Sequence, residues 1–392
     1  MREDVPLKIR KVFLKGNKRT KDSVFDSELQ EAYEGETWAA VRDGLSSASR
    51  ELLGLGIFES VHVNMDAAEG EGGCTDVTIS VKEKDIMKLN VGTFITNGEG
   101  TLETSAVFRN ALGLSESAEL GYAQGRGGSS TASCNVRYPR ILGQPAFLDV
   151  NLRKEDLVFE TFSSYNERQE GGSVGVTDYA GRHKVEFVHL SRDIWPRMMP
   201  HNLDNFKPNA YYASHSVVQE SGTSGKTGLR YSFTDDRRDS PTLPTSGSFL
   251  RLSAELAHVA QYGQVAQDQS DPKWADKLVK LEAAAQKFVP LQASMTLGLS
   301  GAAGVLWSGG KKSQICDRFF VGGPSSLRGF EYKGIGPRAP ADQGGASGGD
   351  ALGGDMFYTL GATLAFPFPH AVLAVRALPP TPPPHFPAHC HR

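Results

Sequence analysis

A chain of 392 residues with 42 Lys and Arg against 45 Asp and Glu carries a formal net charge of −3, which argues against a nucleic-acid partner held by phosphate neutralisation. Hydrophobic residues make up 39%, mean hydropathy is −0.33, and charge breaks most apolar stretches before the ~18 residues that a membrane-spanning helix needs. The four cysteines, Cys74, Cys134, Cys316 and Cys390, are widely spaced without a C-x-x-C, so neither a disulfide framework nor a zinc site is implied.

Residues 7–84 show a small α+β pattern. Leu7, Ile9, Val12 and Leu14 predict a strand that ends at Gly16-Asn17. Thr20 or Asp22 can cap a helix carrying Val24, Phe25 and Leu29, and a second helix from Thr37 turns Trp38, Val41, Leu45 and Leu52 inward. Val61 and Val63 alternate in one strand and Val77, Ile79 and Val81 in the next, giving the order β-α-α-β-β. Seven Lys and Arg fall between Lys8 and Lys21; lying inside a strand pattern and followed by Asp22, they read as a solvated face rather than a targeting segment. The N-terminus lacks the apolar core of a secretory signal peptide, which favours an organelle surface reached from the cytosol.

From Ile86 onward the chain becomes strand after strand, separated by Gly, Asn, Asp and Ser turns. Leu148, Val150 and Leu152 alternate with Asp149, Asn151 and Arg153; Leu229, Tyr231 and Phe233 alternate with Arg230, Ser232 and Thr234; Leu250, Leu252 and Leu256 alternate with Arg251, Ser253 and Glu255. The run Leu291 to Trp307 also has period two, and so does Met356 to Phe366. Roughly twelve or thirteen such segments of about ten residues, with no helix between them, fit an antiparallel barrel whose apolar face meets lipid better than a soluble sandwich.

Three stretches interrupt the alternation. Asp236 to Gly247, D-R-R-D-S-P-T-L-P-T-S-G, is a turn held by Asx bonds and by prolines that cannot extend a ladder. Ser221 to Thr227 approaches a phosphate-binding loop, but Glu220 stands where its first glycine belongs and a strand follows in place of a helix. Cys316 to Arg338 packs Phe319, Phe320, Phe330 and Tyr332 among five glycines, either as a glycine-rich turn or as a loop built for close backbone approach and burial. Its Ser325 and Ser326 have no nucleophile elbow and no placed His or Asp, so no catalytic residue, cofactor or metal is assigned. From Ala371 to Arg392 the alternation fails and prolines crowd in, as at Pro382-Pro383-Pro384; these remove ladder donors, so no further strand is expected.

The run F-F-V-G-G-P-S-S-L-R-G-F, with G-I-G-P-R behind it, resembles the conserved loop of the Omp85 family of outer-membrane barrel assembly proteins. The resemblance implies that Arg328, Gly329 and Phe330 form a tip folded back into the barrel lumen, with Arg328 buried against acidic or carbonyl partners and Gly322 and Gly323 as the approach. It implies that Gly353, Gly354 and Asp355 open the following strand. The spacing D-x-R-D-x-P-x-x-P-x-x-G resembles an inner turn of the family and selects Asp236, Arg238, Asp239, Pro241, Pro244 and Gly247. Residues 7–84, with G-I-F-E-S-V-H-V, resemble the soluble POTRA module; a single copy points to the mitochondrial branch.

The implied architecture is an N-terminal α+β POTRA domain at 7–84, an antiparallel transmembrane β-barrel at 86–368 with a central plug loop at 316–354, and a proline-rich tail at 369–392 in place of the last strands, so that the ring is expected not to close by itself. The implied activity is to fold precursors into the mitochondrial outer membrane, with unfolded β-barrel precursor proteins, membrane lipid and other assembly-machinery subunits as partners. The POTRA domain would stand in the intermembrane space, and the first strand, about Ile86 to Thr96, would be a weakly held edge onto which another strand can add. A chloroplast-envelope translocase and a passive pore are the alternatives.

Overall fold

The computed structural model describes residues 6–68, 73–96, 99–198, 212–262, 276–291, 295–323, 326–340, 345, 348–368 and 371–377. The N-terminal domain runs β1 (Lys8–Lys15), α1 (Asp22–Glu28), α2 (Gln30–Tyr33), α3 (Trp38–Gly54), β2 (Phe58–Ala67) and β3 (Cys74–Glu83). Its sheet has the order β1-β3-β2, parallel between β1 and β3 and antiparallel between β2 and β3. Phe25, Leu29, Val41, Leu45, Leu52, Ile57, Phe58, Val77 and Ile79 are buried between helices and sheet, so the domain has a core of its own.

Several local expectations are corrected. The first helix is split into α1 and α2 at Leu29, giving three helices instead of two. Lys21 is the residue before α1 and makes no side-chain cap, because the Thr20 hydroxyl donates to Glu83 Oε1 at 2.7 Å. Thr37 does cap α3, accepting from the Ala40 N–H at 3.3 Å. Trp38 stays half-buried at the surface with the Arg42 guanidinium 5.0 Å above its ring. Gly16 ends β1 at φ +90°, where a side chain would stand 2.1 Å from the Val81 carbonyl oxygen. Given this core, residues 7–84 expressed alone are expected to melt cooperatively with mixed helix and strand signal; a featureless circular-dichroism melt would refute an independent core.

Thirteen antiparallel strands follow: β4 (Met87–Thr96), β5 (Glu99–Arg109), β6 (Ser117–Gly125), β7 (Ser130–Pro139), β8 (Ala146–Val158), β9 (Tyr165–Asp178), β10 (His183–Pro196), β11 (Gly222–Asp236), β12 (Gly247–Tyr262), β13 (Lys277–Pro290), β14 (Thr296–Trp307), β15 (Met356–Phe368) and β16 (Ala371–Ala377). Each pairs with its sequence neighbour, and among the described residues β4 and β16 do not pair with each other. The short helices α4 (Glu160–Ser163) and α5 (His215–Val218) lie between β8 and β9 and between β10 and β11. β14 begins at Thr296, five residues later than the alternation suggested. β16 corrects the expectation that strands stop at 368: Ala371–Ala377 lies between Pro369 and Pro379 and pairs with Ala362–Phe368. The tail from 378 onward, with Cys390, lies outside the described residues, as does Ser325.

The sheet is apolar on the wrong side for a soluble protein. Leu256 is 58% exposed while its neighbour Glu255 is 5% exposed, and the same inversion sets Leu152 against Asp149 and Phe187 against Glu186. No described helix is long and apolar enough to cross a membrane; the outward rows of Leu, Val and Tyr on the strands supply a lipid-facing surface instead.

Two contacts fix the N-terminal domain to the strand turns. Arg140, after β7, forks onto the buried Glu28 of α1 with Nε to Oε1 at 2.7 Å and Nη2 to Oε2 at 2.8 Å, and Tyr179 donates to the same carboxylate at 3.2 Å. In the second, the Thr20 hydroxyl accepts from Asn110 Nδ2 at 2.8 Å, and the Lys21 N–H donates to the Gly113 carbonyl at 3.0 Å.

Candidate functional site

The inner face of the sheet carries a ladder of alternating charge. Glu186 of β10 stands opposite Arg230 of β11, which stands opposite Glu255 of β12, which stands opposite Lys280 of β13. Arg230 pairs with both neighbours at 3.1 Å, so these carboxylates are neutralised sideways, while Lys280 pairs along its own strand with Glu282 at 3.4 Å. These residues border a cavity of about 740 Å³ that reaches Gly54 at the end of α3.

The loop between β14 and β15 folds onto this wall and is held at its root. Asp317, buried, takes Arg192 Nη1 at 2.8 Å and Lys226 Nζ at 2.9 Å; Lys226 also bridges to Glu255 at 2.6 Å. Arg318 reaches Glu220 at 2.8 Å and the Leu352 carbonyl at 3.0 Å, and the Glu220 carboxylate accepts from the Ile315 N–H at 2.7 Å. Lys333 is enclosed by aromatics, 3.5 Å from the Phe159 ring centre and 4.0 Å from that of Phe320, and donates to the Tyr165 hydroxyl at 3.1 Å. Asp350 accepts from the Ser164 hydroxyl and the Ser214 N–H, each at 2.7 Å. Asp317 and Arg318 held by ion pairs, with Lys333 and Asp350 held by hydrogen bonds and aromatic rings, define one seating for the loop.

The glycines of the loop sit on tight or left-handed backbone. Gly322 has φ +122° and a side chain there would lie 2.2 Å from the Glu331 carbonyl oxygen; Gly323 has φ +87° and donates to the Phe330 carbonyl at 3.0 Å. Gly353, at φ +70°, has Arg318 Cβ and the Phe320 ring in the space of a side chain; Gly354 and Phe319 exchange two backbone hydrogen bonds at 2.9 Å. Asp355 accepts from Ser313 Oγ and its carbonyl takes the Leu306 N–H at 2.7 Å, immediately before β15 begins.

Arg328 is the correction. It is exposed and makes no hydrogen bond or ion pair with a described residue. Anchoring falls instead to Asp317, Arg318, Lys333 and Asp350. The legible signal for them was charge placed inside a glycine and aromatic stretch, where solvation is scarce.

The tip and the inner turn share one cavity of about 860 Å³, bounded by Arg238, Pro241 and Pro244 on one side and by Ser326, Arg328 and Gly329 on the other, with small residues such as Gly298, Ser300 and Ala302 of β14 as its floor. The turn is rigid by its own bonds. Arg238 grips Asp236 with Nε to Oδ1 at 2.8 Å and Nη2 to Oδ2 at 2.6 Å, and its guanidinium lies 4.7 Å from the Phe249 ring centre. The Thr245 hydroxyl and the N–H groups of Ser246, Thr245 and Ser240 hold the Asp239 carboxyl down to about 2. Gly247 closes the turn at φ +105°, 2.2 Å from the Arg237 carbonyl oxygen at the side-chain position.

Inverted sheet, polar inner wall and a long loop pinned to that wall together define a protein of the transmembrane β-barrel class. The chain belongs to the Omp85 superfamily, whose domain matches residues 110–377. It is 30% identical to a SAM50-like protein of Schizosaccharomyces pombe, covering 83% of this chain and 64% of that protein. It is 28% identical to the human sorting and assembly machinery component 50 homolog, covering 94% and 72%. The chain thus spans about two thirds of the length of these relatives. Among solved structures it resembles BamA from Haemophilus ducreyi lacking POTRA domains 1-3, with a TM-score of 0.69 at 18% identity over 93% of this chain and 68% of that one, a likeness of fold.

Proposed function

We propose that this chain folds β-barrel precursors into the mitochondrial outer membrane, with residues 7–84 acting as a POTRA domain in the intermembrane space and other sorting and assembly subunits as partners. The observation that carries the reading is the edge of β4. Among the described residues this strand pairs only with β5, although Leu89 and Val91 on it are 63% and 70% exposed and face the lipid side. In hydrocarbon an unpaired N–H or C=O costs on the order of several kcal/mol, so such an edge takes a strand from whatever supplies one. An incoming precursor strand satisfies both partners at once. The work is templating and needs no bond-making chemistry or cofactor.

The mitochondrial relatives support this over a chloroplast translocase, and the N-terminal domain and pinned loop support it over a passive pore. In mitochondria carrying Val91→Cys, an arrested barrel precursor with a cysteine in its terminal strand is expected to form a disulfide with residue 91. Capture at Val174→Cys on β9, flanked by β8 and β10, is expected to be absent; equal capture at both positions would sink the edge mechanism.

A further inference from the structure

The basic run between Lys8 and Lys21 resolves into two kinds of residue. Arg10 pairs with Asp76 and Arg19 with Glu83, while Lys8 reaches Glu36 at 4.0 Å. Lys11, Lys15, Lys18 and Lys21 are exposed, and their side chains form no ion pair with a described residue. Two of them, Lys18 and Lys21, sit on a turn whose backbone is fixed from both sides. Glu83 Oε1 accepts from the N–H groups of Lys18, Arg19 and Thr20 at 3.2, 3.1 and 3.0 Å, while the Lys21 N–H and the Thr20 hydroxyl are tied to the β5–β6 turn at Gly113 and Asn110. The nearby acids are already engaged. Asp22 accepts from Asn17 at 3.1 Å, and Glu116 accepts from the N–H groups of Leu112 and Leu114 at 2.6 and 3.0 Å.

That turn lies at the rim of the apolar outer face. Leu112, in the β5–β6 turn beside Gly113, is 70% exposed; Met87, the first residue of β4, is 51% exposed, and the Ile86 carbonyl accepts from the Arg109 N–H at 2.7 Å, so the rim and the domain linker meet here. Unpaired ammonium groups on a preorganised turn, next to apolar side chains where a lipid-facing sheet ends, match the boundary between acyl chains and headgroups. We propose that Lys18 and Lys21, with Leu112 and Met87, form a headgroup-level contact for anionic phospholipid that holds the N-terminal domain against the membrane beside β4. The contact rests on the reading that the outer face of the sheet meets lipid. A phosphodiester anion suits the site because its charge is met by flexible lysines at the surface while its acyl chains cover the exposed Leu112 and Met87.

The test uses the full chain reconstituted into phosphatidylcholine vesicles with and without phosphatidylglycerol. Carbonate extraction first establishes that the sheet is embedded, and a chain that washes off overturns the lipid-facing reading and this contact with it. In embedded samples, acylation of Lys18 and Lys21 is read by peptide mass spectrometry against Lys11. Protection of roughly fivefold per lysine is expected in the anionic vesicles, lost in high salt and absent over phosphatidylcholine alone. A Lys18→Gln, Lys21→Gln double variant is expected to embed equally and to co-extract less phosphatidylglycerol. Equal acylation in both vesicle types, or the same protection from inorganic phosphate over phosphatidylcholine vesicles, overturns the proposal.

Discussion

Asp317→Ala is expected to unseat the internal loop at a cost of about 3–5 kcal/mol, because it leaves Arg192 and Lys226 as buried cations without their shared carboxylate. The loop then loses the contact that sets its register on β10 and β11, and with it the seat of Arg318 and Lys333. In detergent the variant should lose heat resistance on semi-native gels and become cleavable by protease near the loop root. Arg328→Ala is the matched control: its side chain is exposed and, among the described residues, unpaired, so the change should stay within about 0.5 kcal/mol. If the two variants lose heat resistance equally, the loop is not anchored at its root. Arg328→Ala can still lower assembly, since the tip faces the cavity of about 860 Å³ that it shares with the inner turn.

Arg140→Ala should release the N-terminal domain from the sheet. Glu28 has a side chain only 1% exposed, and Arg140 supplies its charge-assisted fork, so the variant buries an uncompensated carboxylate at a cost of about 3 kcal/mol. Faster proteolysis between the domain and β4, with strand signal intact, is the expected readout; Arg140→Lys should restore part of the docking through a single bond. The same junction carries a pH dependence. Burial and the neighbouring Glu28 raise the Glu51 carboxyl to about 7, so the folded state binds a proton that the unfolded chain holds only below the ordinary carboxylate range. Its contribution is complete at acid pH and fades as pH rises through about 7. Glu83 runs the other way: burial alone would raise it, but the Thr20 hydroxyl and the N–H groups of Thr20 and Arg19, with the Arg19 charge, bring it down to about 2, and its contribution is lost only as pH falls toward that value. The docked domain should therefore be most stable near pH 4.5, losing the Glu51 contribution as pH rises from there to about 7 and the Glu83 contribution as pH falls toward about 2; a melting temperature that climbs steadily between pH 5 and 7 would contradict this.

The sequence by itself determined most of the strands and their two faces, with β16 the strand it missed. Period-two alternation reports which residues share a face, and a single reversal of register would expose every charge on β8 to β13 at once, so pairing between neighbours followed from pattern alone. It also determined the glycines at Gly322, Gly353 and Gly247, since only a residue without a side chain fits backbone that close or that left-handed. What the tertiary structure decided was which charges meet. Asp317 and Arg192 are 125 residues apart, and Glu28 and Arg140 are 112 apart; no local spacing relates them, and their burial exists only once the loop and the domain are docked. For the same reason Arg328, the most conspicuous charge in the motif, gave no sign in sequence that it would remain exposed: burial belongs to the assembled wall, whereas periodicity belongs to the chain.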